Sequence, residues 1–124
     1  FQLTDKGPID WNYYTPEVLQ TEIDNNNVTV IEFTAEWCLN CKLLENTVLN
    51  QDAIVELFKQ EGVTPIKVDL TGNNDSGNQL LNDVGGLRIP LLIINDRNGE
   101  EVFRGDFYTT EQILNAVQTA KGAP

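Results

Sequence analysis

Residues 35–45 read "AEWCLNCKLLE" and contain both cysteines of the 124-residue chain, Cys38 and Cys41, three positions apart. Just before them, "VTVIEF" at residues 28–33 is β-branched and apolar enough for a buried central strand. From Cys38 onward "CLNCKLLENTVL" has helical spacing, with a bend or break expected near Asn50, and "DAIVELFKQ" at residues 52–60 continues helically as far as Gly62. The pair therefore falls where a strand gives way to a helix. There the Cys38 sulfur meets unpaired amides and the positive end of the helix dipole, which lower a thiol pKa and make Cys38 the natural nucleophile. Cys41, one turn later and more buried, can attack a mixed disulfide at Cys38, which makes it the natural resolving thiol.

Two other uses of the pair fit less well. Zinc almost always takes four nitrogen or sulfur ligands, and the chain offers two Cys and no His, so no metal is expected. A purely structural disulfide is possible chemistry, but closing a four-residue loop removes chain entropy worth only about 2 kcal/mol, and a staple does more across a long loop.

Flanking residues add detail. Glu32 precedes Cys38 by six positions on the buried strand, where an unpaired charge is expensive. A raised pKa there would let it carry a proton to or from Cys41; a solvent-facing Glu32 at a strand edge is the competing reading. Glu45, four residues after Cys41, shares its helix face, and a negative charge so placed disfavours the thiolate and makes the pair more reducing. A merely solvating Glu45 fits the sequence too. Trp37 either offers a flat apolar contact beside the sulfur or packs in the core. Ile89 and Pro90 follow the Gly85-Gly86 turn. That proline is either a plain strand-start residue or a cis-proline beside the disulfide, and the pattern does not choose.

The rest of the chain frames this centre. Residues 1–14 mix aromatics with Gly7 and Pro8 without a clean period, so they read as an irregular arm that can pack Trp11 and Tyr13 onto a domain of residues 15–124. Thr15-Pro16-Glu17 starts a helix to about Asp24, because Thr caps orphan amides, Pro suits the first turn and Glu suits the positive end. "TPIKVDL" at 64–70 is a strand, "TGNNDSGN" at 71–78 a loop, and "QLLNDV" a short helix. "IPLLIIN" at 89–95 and "EVFRG" at 101–105 flank the turn "DRNG" as an antiparallel hairpin. "TTEQ" at 109–112 has the spacing of a capping box and opens a last helix with Ile113, Leu114 and Val117 on one face. The first two strands, joined through a helix, should be parallel. The expected class is α/β, one domain with a central mixed sheet and helices on both faces.

Composition narrows the partners. With 19 acidic against 8 basic residues the net charge is −11, which repels nucleic acid and anionic lipid, so no nucleic-acid partner is expected. No apolar run approaches the roughly 20 residues needed to span a bilayer. The start at Phe1 without Met suggests a piece processed or excised from something longer.

At this point a family resemblance is visible. "VIEFTAEWCLNCK" resembles the thioredoxin active-site segment, and "RIPLLII" lies where that family has its cis-proline and following strand, over roughly residues 28–120. The resemblance implies a thioredoxin-like fold, Cys38 attacking, Cys41 resolving, Pro90 cis, and Glu32 in the place of the buried acid. Departures are Leu39-Asn40 for Gly-Pro, Glu for Asp at position 32, and Leu91 for the usual Thr. "FTAEWCLNCKLLE", "KVDLTGNN" and "GGLRIPLLII", with "IDWNYYTPEVL" leading in, are similar to the C-terminal periplasmic domain of DsbD-type thiol:disulfide interchange proteins, in which Cys-Lys and a Glu four residues after the Cys recur, as Cys41, Lys42 and Glu45 do here. That similarity implies a dithiol reductase that takes electrons from a membrane-embedded segment. It would pass them to a second periplasmic domain that reduces disulfide isomerases and cytochrome c maturation factors. A monomeric domain with no cofactor beyond the cysteine pair, located in the periplasm, is the corresponding expectation; catalysis would rest on Cys38, Cys41, Glu32 and Glu45 and substrate contact on Trp37, Ile89 and Pro90.

Two alternatives remain. A free-standing extracytoplasmic thioredoxin-like reductase or isomerase would carry its own signal peptide. A non-catalytic binding module of the same fold, its cysteines locked as a structural disulfide, would keep its function in Cys38→Ser.

Overall fold

Strand β2 (Val28–Thr34) is buried along its whole length, and its alternating side chains feed two separate cores. Val28 and Val30 face one side with Leu44, Leu49, Ile54, Phe58 and Ile113; Ile31 and Phe33 face the other with Ile66, Val68, Leu91 and Ile93. A strand buried on both faces has to lie mid-sheet. The computed structural model, which describes residues 7–122, orders its five strands β1 (Asn12–Tyr13), β3 (Val63–Asp69), β2, β4 (Leu91–Asn95) and β5 (Glu101–Gly105).

Strand β3 (Val63–Asp69) runs parallel to β2 in the register Glu32 to Lys67 and Thr34 to Asp69. Strand β4 (Leu91–Asn95) is antiparallel to β2, with Phe33 opposite Leu91, and pairs with β5 (Glu101–Gly105) as the expected hairpin. Helices α1 (Pro16–Asp24) and α4 (Asp75–Asp83) cover the Ile31–Phe33 face. Helices α2 (Leu39–Leu44), α3 (Asp52–Phe58) and α5 (Thr110–Lys121) cover the other. The fold is the expected α/β architecture with a mixed sheet between two helical layers.

Local chemistry sets the boundaries. Thr15 Oγ1 accepts from the Val18 amide and Pro16 occupies the first turn of α1. Thr109 and Gln112 form the anticipated capping box on α5. Among the described residues no helix is long and apolar enough to cross a membrane.

Three local expectations need correction. The arm is not wholly irregular: β1 (Asn12–Tyr13) pairs parallel with β3 at the sheet edge, and Ile9 and Trp11 are buried. Trp11 stands edge-on to Phe58 at 5.9 Å, and it is this apolar anchor that brings so polar a segment into register. Residues 1–6 of the arm lie outside the described residues. The loop after β3 is shorter than expected, because Asn74 caps α4 through the Gly77 amide and draws residues 75–78 into the helix. Strand β4 begins at Leu91, leaving Ile89 and Pro90 in the preceding turn. The break expected near Asn50 is present, at Asn50 and the extended Gln51 ahead of α3, and the turn before it is widened: Glu45–Leu49 is π-helical, closed by the Asn50 amide donating to the Glu45 carbonyl at 2.9 Å. Thr47 Oγ1 donates back to the Leu43 carbonyl within the same turn, a bond that loosens an α-helical ladder.

Candidate active site

The cysteine pair sits where the sheet register aims it. β2 ends at Thr34, Ala35 continues the buried path, and Cys38 is the N-cap of α2. Its Sγ accepts from the Cys41 amide at 3.2 Å, and the two sulfurs are joined as a disulfide. Cys38 is 7 % exposed against 1 % for Cys41, so an incoming sulfur has its opening at Cys38.

The antiparallel register of β2 with β4 brings the start of β4 to the end of β2, which places Ile89 and Pro90 beside the disulfide. The Ile89-Pro90 bond is cis, and Ile89 packs on Ala35, Cys38 and Cys41. Asn40, between the cysteines, lines a cavity of about 300 Å³ with Ile89, Pro90 and Phe107. Trp37 is 64 % exposed rather than packed in the core, and Leu39 and Phe107 are likewise exposed. Neither the Asn40 cavity nor a larger one of about 570 Å³ near Tyr13, Tyr14 and Asn73 is lined by a cysteine, but the first lies at the residue between them.

Beneath the helix lies a pair of acids. Glu32 shares its sheet face with Val28 and Val30 and is buried to 2 %, so it is not the solvent-facing edge residue. Burial, then the hydrogen bond to Glu45 and repulsion from it, push its carboxyl well above the usual range. A proton held by the pair therefore favours Glu32, which can donate it to Glu45, while Glu32 Oε1 is buried with no hydrogen-bond partner among the described residues.

Glu45 starts the π-helical turn, and its amide donates to the Cys41 carbonyl. Burial alone would raise its pKa, but hydrogen bonds from Glu32 and Thr34, then the charges of Lys42 and Lys67, outweigh it and hold Glu45 below the ordinary value. Thr34 Oγ1 donates to its Oε2 at 2.8 Å, and Lys42 Nζ lies 3.4 Å from Oε1. A buried couple results whose shared proton favours Glu32 over Glu45. It can give that proton to a thiolate or receive one from a thiol without a free charge being created in the core.

The structure thus packs Ile89, followed by the cis-proline Pro90, against Cys38 and Cys41, and brings Glu32 onto Glu45, four residues along the helix from Cys41, with Trp37 exposed just before Cys38. Sequence reasoning missed Thr34, Lys67 and Tyr108, and met Lys42 only within the Cys-Lys motif, with no role assigned to it. Thr34 was available, two residues after Glu32 and so on the same strand face. Lys42 stands three residues before Glu45 at ion-pairing spacing. Lys67 meets Glu32 only through the strand register, and Tyr108, buried near both acids with its hydroxyl pKa raised by burial and then by their charges, only through tertiary packing.

A disulfide at a strand-to-helix junction, Ile89 packed on it ahead of a cis-proline, and a buried acid on the strand that leads to it define a thioredoxin-fold redox centre. The thioredoxin family model matches residues 11–119, and the chain belongs to that family. Within it, the chain is 28 % identical over 103 residues to the thiol:disulfide interchange protein DsbD of Campylobacter jejuni, spanning 82 % of this chain and 18 % of that protein. The DsbD of Pseudomonas fluorescens is 31 % identical over 71 residues, 54 % of this chain and 12 % of that one. The chain therefore spans less than a fifth of these relatives. In structure it is similar to the oxidised DsbD C-terminal domain of Neisseria meningitidis, with TM-score 0.68 at 19 % identity over 88 % of this chain and 98 % of the other. A Thermus thermophilus thioredoxin gives TM-score 0.69 at 19 % identity over 90 % and 88 %.

Proposed function

We propose that this chain is a thiol:disulfide interchange domain of the DsbD type, acting as a dithiol reductase in the periplasm. The observation that carries the reading is the buried Glu32–Glu45 couple on the far side of an accessible Cys38, in a chain whose relatives are interchange proteins. The Cys38 thiolate attacks a partner disulfide and forms a mixed disulfide. Cys41 loses its proton toward Glu32 and attacks Cys38, which releases the partner as a dithiol. Re-reduction runs the same steps backward, with Glu32 protonating the departing Cys41 sulfur. The cysteine pair is the redox centre, and no organic cofactor or metal takes part.

The partners in this reading are a membrane-embedded electron-carrying segment as donor and a second periplasmic domain as acceptor, which feeds disulfide isomerases and cytochrome c maturation. Trp37, Ile89 and Pro90 form the contact surface, supported by the exposure of Trp37 and by the cavity that Asn40, Ile89 and Pro90 line. The test is trapping. Cys41→Ser should accumulate mixed disulfides through Cys38 with a periplasmic partner domain or a model protein disulfide, and Cys38→Ser should accumulate none. Function preserved in Cys38→Ser would replace the reading with a binding module.

A further inference from the structure

Lys42 follows Cys41 and lies between two carboxylates. Its Nζ is 2.6 Å from Glu36 Oε2 and 3.4 Å from Glu45 Oε1. The two acids differ in setting: the Glu36 side chain is 72 % exposed, that of Glu45 only 13 %. A cavity of about 190 Å³ opens on the outer side of Glu45, lined by Glu36, Lys42, Asn50 and Lys67 and walled by the Ile9–Trp11 part of the arm. Glu32 Oε1 is buried with no hydrogen-bond partner among the described residues, and its carboxyl hydrogen-bonds to Glu45, which lines this cavity, so the cavity offers its proton a route to water through Glu45.

We propose that Lys42 is a positioning residue of the exchange reaction: held mainly by Glu36 in the disulfide form, it moves onto Glu45 when the acid couple gives its proton to Cys41. The inference rests on the interchange reading above. The balance of the step shows why a cation is needed. The thiolate of a partner dithiol bonds to Cys38 Sγ, the Cys38–Cys41 bond breaks, and its electron pair goes to Cys41 Sγ. The Glu32 proton passes to that sulfur. A second partner thiolate then takes the mixed disulfide and frees Cys38 as thiolate; the partner is oxidised by two electrons and the pair reduced by two. Glu32 and Glu45 are left in contact as two anions in a buried site, an arrangement that a single proton had relieved.

The groups facing the couple are Thr34 from β2, Lys67 from β3, Tyr108 from the turn before α5, and Lys42 from its own helix. Thr34 and Tyr108 bring no positive charge, and the Lys67 amine also stands 5.5 Å over the Trp11 ring. Lys42 reaches Glu45 by closing a gap from 3.4 Å, with Glu36 holding it close by until then.

The test follows the buried carboxyl directly. In the reduced 124-residue chain the carbonyl band of the protonated acid is titrated by infrared spectroscopy in the wild type, Lys42→Met, Lys42→Arg and Lys59→Met, with Glu32→Gln to assign the band. Lys42→Met should hold the proton to higher pH, its midpoint raised by about half a unit or more, equivalent to about threefold in proton affinity. Lys42→Arg should restore the wild-type midpoint, and Lys59→Met, which removes a cation outside the site, should leave it unmoved. A Lys42→Met midpoint equal to wild type in a folded protein overturns the proposal; Lys42→Gln gives the same reading should Lys42→Met not fold. Thiol-dependent reduction of insulin by the wild type tests the interchange reading separately, since the carboxyl titrates whether or not a partner is reduced.

Discussion

The hydroxyl of Thr34, the last residue of β2, donates to Glu45 Oε2 at 2.8 Å across the interface between the sheet and the cysteine-bearing helix. Thr34 is 2 % exposed and the Glu45 side chain 13 %, so the bond is made at the edge of the interior to a charged acceptor, where it is worth about 1.5–3 kcal/mol. Thr34→Val keeps the shape and deletes the donor. It should lower unfolding free energy by about that amount in urea titration and raise the Glu45 pKa. A Thr34→Val protein as stable as wild type would mean that Glu45 finds another donor, and the couple would be less fixed than its geometry indicates.

The redox potential follows from the charge below the disulfide. Acids near a thiolate destabilise it, and a destabilised reduced form makes a stronger reductant. The Cys38–Cys41 pair should equilibrate against dithiothreitol and glutathione near or below about −270 mV, far from the roughly −120 mV of a strong oxidant. Glu45→Gln removes one negative charge and should raise the potential by about 30 mV at pH 8, tenfold in the exchange constant. Thiol trapping across a redox buffer series reads both values. A fall in potential would reverse the assigned role of Glu45.

Glu32 also makes stability depend on pH, with a definite sign. Its folded pKa is raised above the unfolded value of 4.5, so between the two the native state holds a proton that the unfolded chain has lost. Its contribution is intact below pH 4.5 and disappears as pH rises through the folded pKa. Glu45 acts oppositely: its folded pKa is lowered, and its contribution is lost as pH falls below the ordinary carboxylate range. Urea denaturation from pH 5 to 9 should show the oxidised wild type weakening toward the alkaline end. Glu32→Gln should flatten that slope and be about 1–3 kcal/mol more stable than wild type at pH 8. A slope that survives in Glu32→Gln would assign it to another group.

How far the sequence disclosed this molecule depended on the distance over which each signal acts. The strand-to-helix placement of Cys38 and Cys41, the capping box at Thr109 and the helix start at Thr15 are local, and each was readable from a few residues. The cysteine centre and the two acids beside it were legible for the same reason. The π-helical turn was not, since Thr47 bonding back to Leu43 and the packing of Val48 and Leu49 only together favour an extra residue in the turn. Lys67 and Tyr108 come to Glu32 through register and packing, which no local pattern encodes. The two residues of β1 were too few to give a period.

That last miss leads to the remaining prediction. Trp11 is 4 % exposed, edge-on to Phe58 and beneath the Lys67 amine at 5.5 Å, so the arm is held by one large side chain rather than by its two-residue strand. Burying an aromatic of that size dominates the handful of ladder bonds that Asn12 and Tyr13 can make. Trp11→Ala should therefore cost about 3–5 kcal/mol, while Asn12→Ala should cost about 1 kcal/mol or less. Because the arm also walls the cavity outside Glu45, Trp11→Ala should speed hydrogen exchange at the β3 amides that pair with the arm and shift the pH dependence of disulfide exchange. Thermal unfolding with hydrogen-exchange mass spectrometry checks both. Equal losses in the two variants would show that strand pairing, not the tryptophan, fixes the arm to the domain.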